Sequence, residues 1–422
     1  MPGGWGCPVT RSTDLPAVTA GHYAIVRVLL GCYLTIHFAH LLPYGAELFS
    51  ADGVLPADLS PLLGIVPNPL AAYDTPAVVL TVLWAGVVSG LLLAAGTFDR
   101  AAAVAAATAL GWLYARNPLI ANPSLPVVGW MLIAHAFTPV GAYGAWSSRG
   151  EPERWLAWRY PRAIWFSAWL MLAVAYSYSG YTKLLSPSWV DGTAIQLVLE
   201  NPLARDHFLR SFMLGLPPIA LKLLTWFVLL VELLFVPLCF HRAARMWAWI
   251  AMLLVQFGFL VFLNFADLTF PMLLIHMLTF DRRWVENMRP AGSAILFYDG
   301  ACAFCNGFVR FLLAEDADRR LAYSPLQGAT FETAAIDVGD DDSIVLLTPD
   351  GRTLFKSDAA IHCLRLLGGV WLLIGRLLAF LPRRLRDRVY DTVGAVRYRL
   401  AGEAAADACL LLPQAYRKQL LE

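Results

Sequence analysis

The sequence predicts a mostly α protein: a polytopic helical membrane bundle of about eight spans, followed by a small α/β domain. Three observations carry this expectation. The chain has 422 residues, of which 58% are hydrophobic and only 15% charged, too apolar a mixture for one soluble domain. Up to about Phe280, apolar runs alternate with short polar loops. From Ala291 the composition changes: Asp, Glu and Arg rise, and short strand and helix signals follow one another. The boundaries expected are a membrane domain at 1–285 and a second domain at 293–422, joined by a linker at Asp281 to Gly292.

The spans fall roughly at 23–43, 77–96, 98–115, 126–143, 163–182, 219–240, 246–264 and 267–280. The third, fourth and eighth are short or marked by Pro. Basic residues gather in alternate loops: Arg11 in the tail, Arg100, then Arg149, Arg154, Arg159 and Arg162, then Arg242 and Arg245, and finally Arg282, Arg283 and Arg289. The long loop from Gly45 to Pro76 has no Lys or Arg. By the positive-inside rule, an integral membrane protein with this pattern keeps its N-terminus and its second domain in the cytoplasm. That placement depends on the run Leu268–Phe280 crossing; otherwise the second domain lies outside. Residues Met1 to Ala20 lack a basic start followed by an apolar core, so no cleaved signal peptide is expected. A net charge of +1 makes no case for nucleic acid as a partner.

The second domain reads as strand Ala294–Tyr298, helix Asn306–Ala314, strand Ser343–Leu347, a turn at Pro349-Asp350-Gly351, strand Thr353–Lys356 and helix Asp358–Leu367. Where the first strand turns into the first helix stands Asp299-Gly300-Ala301-Cys302-Ala303-Phe304-Cys305. A helix start carries partial positive charge and unpaired N–H groups, which stabilise a thiolate. The C-x-x-C spacing lets a second thiol close a small ring once the first has attacked. Half of a zinc site is the competing reading, but it needs a second pair of ligands, and Cys363 and Cys409 are lone and far apart. Redox chemistry is therefore favoured and no metal is expected. Cys32 and Cys239 sit in apolar runs as small buried hydrophobes, and Cys7 lies in the N-terminal tail.

The membrane part has its own polar stretch, Tyr176-Ser177-Tyr178-Ser179-Gly180-Tyr181-Thr182-Lys183, followed by Trp189-Val190-Asp191-Gly192-Thr193-Ala194. Tyr176, Gly180 and Lys183 stand at i, i+4 and i+7 and share one helix face. Gly180 lets a neighbour or a ligand approach the backbone. A lysine among aromatics loses its proton more readily and can act as a base; equally, Lys183 can be a snorkelling anchor in an aromatic belt. Arg27, His37, His40, His135, Glu232, Asp267 and His276 also lie within spans, where such groups line a cavity or pair with one another, Arg27 with Glu232 being one pairing considered. His37 and His40 share a face without a third ligand, so they read as satisfied polar residues.

Two family resemblances follow from these motifs. The G-x-x-K-L and W-x-x-G-T-A pattern of Tyr178 to Ala194 resembles the HTTM domain of vitamin K-dependent gamma-carboxylases, over roughly residues 20 to 280. The resemblance implies that Lys183 deprotonates a reduced quinone, so a quinone or hydroquinone is the implied cofactor. Those carboxylases carry an Asn-His between spans three and four; here Asn122-Pro123 stands there, without the His. The Y-D-G-x-C-x-x-C of Tyr298 to Cys305, with Tyr323-Ser324-Pro325-Leu326-Gln327, Lys356-Ser357-Asp358-Ala359-Ala360 and Tyr398-Arg399-Leu400, resembles the DCC family of thiol–disulfide oxidoreductases, over roughly 293 to 412. This resemblance implies a thioredoxin-like fold, Cys302 as exposed nucleophile and Cys305 as resolving thiol, with Asp299 and Gly300 supporting them. No Pro precedes the Ser343 strand, where redox folds of this kind usually place one.

The resulting expectation is a membrane-anchored thiol–disulfide oxidoreductase. Its partners are membrane lipid, a protein or small-molecule disulfide or dithiol, and a lipophilic quinone. Tyr176, Gly180, Trp189, Asp191, Arg27 and Glu232 are the candidate cavity residues around Lys183. The alternatives are a hydroquinone-using membrane enzyme, or a silent membrane module carrying the redox domain. The stretch Gly368 to Arg399, with Trp371, Leu377 and Phe380 and then Arg383, Arg384, Arg386 and Arg388, reads either as a basic amphipathic segment on an anionic membrane surface or as a docking helix of the small domain.

Overall fold

A computed structural model of the chain describes residues 18–65, 67–336, 343–401 and 414–421; Cys7 and Cys409 lie outside them. Contacts divide the chain into two compact units, one of Ile25–Val140 and Pro161–Thr279, the other of Met1–Ala24, Gly141–Tyr160 and Phe280–Glu422.

The first unit is helical. Eight main helices stand where the apolar runs predict: α1 (Ala20–Leu41), α2 (Pro76–Ala95), α3 (Asp99–Arg116), α4 (Leu125–Phe137), α5 (Arg162–Lys183), α6 (Pro218–Leu233), α7 (Arg242–Phe262) and α8 (Ala266–Thr279). The expectation of about eight spans needs correction. Among the described residues, three helices are long and apolar enough to cross a membrane, Ala20–Phe49, Pro76–Ala95 and Arg242–Phe262. The count becomes four if Phe208–Leu214 and α6, bent by 101° against each other, form one span. The reasons are local. The α3 helix carries Asp99, Arg100 and Arg116. The end of α5 is Tyr, Ser, Gly and Thr. The α8 helix has only 14 residues, with Pro271 inside; that is about 21 Å of helix against a hydrocarbon core of about 30 Å.

The second unit is built on a four-stranded sheet of order β2–β1–β3–β4, with β1 (Ala294–Tyr298), β2 (Leu321–Pro325), β3 (Val345–Leu347) and β4 (Thr353–Phe355). The β1–β2 pair is parallel, and β1–β3 and β3–β4 are antiparallel. A parallel neighbour requires a crossover, supplied by α9 (Ala303–Glu315). Its buried Cys305, Val309, Leu312 and Leu313 recur at helical spacing and turn one apolar face inward. The helices α10 (Ala329–Ala334) and α11 (Lys356–Leu367) follow β2 and β4. Leu296 and Phe297 of the central strand are wholly buried, as an inner strand covered on both faces requires.

The strand order read from sequence omits β2 and α10. Leu321–Pro325 contains Ser and Pro and lies at the sheet's edge, where Pro is tolerated. Its outer side is covered by the chain's last described residues: Tyr323 N–H donates to Gln419 O at 2.7 Å, and Leu421 N–H to Tyr323 O at 2.7 Å. Covering an edge in this way removes a site for unwanted strand pairing. Trp155 and Leu156 join the core of this unit from far away in sequence, and Tyr143 Oη donates to Gly307 O on α9 at 3.3 Å.

The helices α12 (Gly369–Ala379) and α13 (Arg383–Ala401) belong to this unit. Asp358 on α11 accepts from Arg386 at 2.8 Å and pairs with Arg383 at 3.2 Å, while Ser357 donates to Asp387 at 2.5 Å. These bonds dock α13 on α11, the second of the two readings that the sequence allowed for this stretch. Glu315, at the end of α9, accepts hydrogen bonds from Gly21 N–H (2.6 Å), the Thr19 hydroxyl and Trp371 Nε1 (2.6 Å). A carboxylate so placed satisfies N–H groups that the first turn of a helix leaves open. Burial nonetheless raises its titration above the usual carboxylate range.

Candidate active site

At the carboxyl end of β1 the chain turns sharply and enters α9, with Cys302 as the helix N-cap. The turn is held from several sides. Asp299 Oδ1 accepts from Ala301 N–H at 3.0 Å, and Cys302 N–H donates to Asp299 O at 3.3 Å, so the aspartate folds the backbone back on itself. Gln327 reaches across from the loop after β2: its Oε1 accepts from Gly300 N–H at 3.3 Å, and its Nε2 lies 3.5 Å from Asp299 Oδ1. A Cβ at Gly300 would come within 3.2 Å of Pro325 Cβ, tighter than normal packing allows. Asn306, one turn into the helix, donates to the carbonyls of Gly300 (2.8 Å) and Cys302 (3.0 Å). The two sequence motifs Asp299-Gly300 and Pro325-Leu326-Gln327 are thus two sides of one turn.

Cys302 at the N-cap and Cys305 in the first turn of the helix stand near enough that Cys302 acts on the Cys305 thiol. Cys302, expected as an exposed nucleophile, is wholly buried at 0% exposure, whereas Cys305 keeps 6%. Both cysteines belong to the core cluster that includes Leu296, Leu312 and Cys363. Burial, and then the neighbouring Cys302, push the Cys305 thiol up to about 12, with Arg397 acting in the opposite direction and Asp299 in the same one. Cys363 is buried too, and its thiol is raised by that burial.

Arg397 is the site residue that sequence reading missed. It comes from α13, is buried, and places Nη2 3.5 Å from Asp299 Oδ2. Nothing local distinguishes it from the other arginines of that helix; only the packing of α13 against α9 brings it to the dithiol.

In the helical unit, Gly180 and Lys183 of α5 meet α6, whereas Tyr176 meets Phe235, α7 and α8. Lys183 Nζ donates to Ser179 Oγ at 3.0 Å and to Glu232 Oε2, and lies 4.7 Å from the centre of the Trp189 ring. A Cβ on Gly180 would overlap the backbone nitrogen of Leu233 and sit 2.7 Å from its Cα, so the glycine is what lets the two helices touch. Tyr176 Oη accepts from Gln256 at 3.1 Å and lies 3.5 Å from His276 Nε2. The other cavity candidates are elsewhere engaged. Asp191 is exposed and accepts from Thr193 N–H (2.9 Å) and Thr193 Oγ1 (2.7 Å), closing a local turn. The Arg27–Glu232 pairing is not what forms: Arg27 donates to the carbonyls of Leu93 (2.7 Å) and Ala94 (2.8 Å), and Glu232 takes Lys183 instead. Asp267 gathers His37 (2.7 Å), Tyr33 (3.0 Å) and Asn122 (2.6 Å), so these polar groups satisfy one another.

A dithiol at a helix start, reached from the end of a central strand, is a site built for thiol–disulfide exchange. Comparison with known proteins agrees with this class: residues 296–403 match the family model described as DCC1-like thiol-disulfide oxidoreductase. The uncharacterized protein YuxK of Bacillus subtilis is 32% identical over 133 residues, which are 31% of this chain and 94% of that protein. A chloroplastic DCC family protein of Arabidopsis thaliana is 30% identical over 129 residues, 30% of this chain and 72% of that protein. No solved structure matches the chain. The chain belongs to the DCC1-like thiol-disulfide oxidoreductase family through its C-terminal part.

Proposed function

We propose that the protein is a membrane-anchored thiol–disulfide oxidoreductase in which Cys302 and Cys305 cycle between dithiol and disulfide. The observation that carries this reading is the placement of Cys302 at the N-cap and Cys305 in the first turn of α9, inside the segment that matches the family. Closing the pair into a disulfide releases two electrons and two protons, which a partner disulfide takes up as two thiols. The run β1–α9–β2–α10–β3–β4–α11 supports the thioredoxin-like reading of the domain, and the three long apolar helices support membrane anchoring. The test is exchange with a small disulfide by the full-length protein. Cys302→Ser and Cys305→Ser should each abolish turnover, and Cys363→Ser should leave it intact. Turnover that survives loss of both motif cysteines would remove the reading.

A second reading concerns the helical unit. It takes the HTTM resemblance at face value and makes Lys183 the base for a bound hydroquinone. The inward turn of Lys183 toward Glu232 and Trp189 favours it over a lysine that snorkels to the interface. Lys183→Arg separates this reading from a silent module held together by an ion pair. A guanidinium keeps its proton, so quinone-dependent turnover should vanish while small-disulfide exchange at the dithiol persists. Full quinone-dependent activity with Arg would leave the helical unit as an anchor.

A further inference from the structure

We propose that the substrates of the dithiol are small apolar thiols and disulfides, and that they enter by a groove in which Cys305 is the sulfur they meet. The proposal rests on the thiol–disulfide reading above and names the substrate class and entry route of that same site. A cleft of about 460 Å³ opens between α9, α11, α12 and α13. That size falls among small-molecule sites, which span about 300–1,000 Å³. Cys305 stands in its wall beside Phe304 and Phe308, and Cys302 does not. Leu385, Val389 and Val393 form the facing wall at i, i+4 and i+8 on α13, and they are 50%, 58% and 36% exposed. Water is a poor occupant for such a cleft, and a ligand that buries these side chains gains about 25 cal/mol per Å² of apolar surface removed from water.

The polar groups at the groove decide what kind of ligand fits. A peptide brings backbone N–H and C=O groups that need partners once buried. Here the partners are already spent. Ile344 N–H donates to Tyr390 Oη at 3.0 Å, Arg386 is bonded to Asp358 at 2.8 Å, and Ser357 to Asp387 at 2.5 Å. Arg397, also in the lining, is held 3.5 Å from Asp299, so what remains open is almost wholly carbon, with the Cys305 sulfur in it. An alkyl or aryl thiol asks for nothing more.

The step that follows balances within the oxidised protein. A substrate thiolate attacks Cys305 Sγ of the Cys302–Cys305 disulfide. The bond between the two cysteine sulfurs breaks, and its electron pair leaves on Cys302 Sγ at the helix N-cap, which then takes a proton from water. A second substrate thiolate attacks the substrate sulfur of the mixed disulfide and releases the substrate disulfide. Cys305 departs as a thiolate and is protonated. Two thiols have been oxidised and the protein disulfide has been reduced by two electrons.

The test is a single turnover of the oxidised full-length protein with hexanethiol, with 2-mercaptoethanol and with a cysteine-bearing peptide, in wild type and in Val389→Asp. Val389 is exposed, so the substitution leaves the core untouched. It should slow hexanethiol oxidation about tenfold more than 2-mercaptoethanol oxidation, the equivalent of about two buried methylene groups. Failure of wild type with every thiol would sink the exchange reading beneath the proposal. Exchange that proceeds with no difference between wild type and Val389→Asp would overturn the groove alone. A peptide that outpaces hexanethiol, and is slowed by the same substitution, would overturn the substrate class. Dihexyl disulfide settles the entry sulfur, since the cysteine thiolate that attacks it keeps one hexylthio group and releases hexanethiol: the adduct should form on Cys305 in Cys302→Ser, and an adduct found only on Cys302 in Cys305→Ser would contradict it.

Discussion

Two cysteines separated by two residues can be read from the sequence, but which of them faces outward cannot. Position along a helix says that Cys302 caps and Cys305 follows; the burial of each depends on what packs over the turn. Gly300 against Pro325 and Asp299 against Gln327 and Arg397 close the turn over Cys302. The apolar groove leaves a path to Cys305. The motif therefore revealed the chemistry, while Arg397, ninety-odd residues further along, gave no local sign of its role. A pH dependence follows from the buried thiol. The Cys305 thiol is pushed up to about 12, chiefly by burial, and only the thiolate is nucleophilic. In the Cys302→Ser variant, alkylation of Cys305 by iodoacetamide should climb about tenfold per pH unit from about pH 7 to 10, with the sign set by a raised thiol. A rate that levels off within that interval would show that burial does not hold the thiol protonated.

At the scale of elements, the strongest periodic signals came through: α9, α11, β1, β3 and β4 all lie where apolar spacing and the Pro349-Asp350-Gly351 turn predict. The missed strand, β2, is short, ends in Pro and takes its stability from neighbours on both sides rather than from its own composition. The α13 helix was read as one of two things because charge spacing alone cannot say whether arginines face lipid headgroups or the aspartates of α11; the bonds to Asp358 show the docked arrangement. The α5–α6 contact offers a direct test of packing. Gly180→Ala would drive a methyl into the backbone at Leu233, and overpacking of this kind costs about 1–3 kcal/mol. Gly258→Ala, on α7, meets nothing within 4 Å and serves as the control. Thermal unfolding of the detergent-solubilised protein should show Gly180→Ala melting below wild type and Gly258→Ala not. Equal melting temperatures would mean that α5 and α6 do not pack through Gly180.

At the scale of the whole molecule, composition announced a membrane part and a mixed α/β part; the chain has a helical unit with helices long and apolar enough to cross a membrane, and a mixed α/β unit. The number of crossings was beyond its reach, because a hydropathy window treats α2 and the Pro-interrupted α8 as the same kind of object, while a bilayer does not. Nor could composition tell that residues 141–160 would leave the stretch between two helices and enter the core of the dithiol unit. Long-range partners of this kind are set by packing, and no spacing rule reaches them.

The claim on which the rest depends is that Cys302 and Cys305 form one reversible redox pair. It is tested most directly by equilibrating the full-length protein in a series of glutathione or dithiothreitol buffers, trapping free thiols by alkylation at each step, and locating the modified cysteines by mass spectrometry. Cys302 and Cys305 should lose and regain their alkyl groups together, along a single two-electron curve, with the oxidised form carrying a disulfide between them and Cys363 unaffected. Independent titration of the two cysteines, or a disulfide that joins either one to Cys363, would contradict the account.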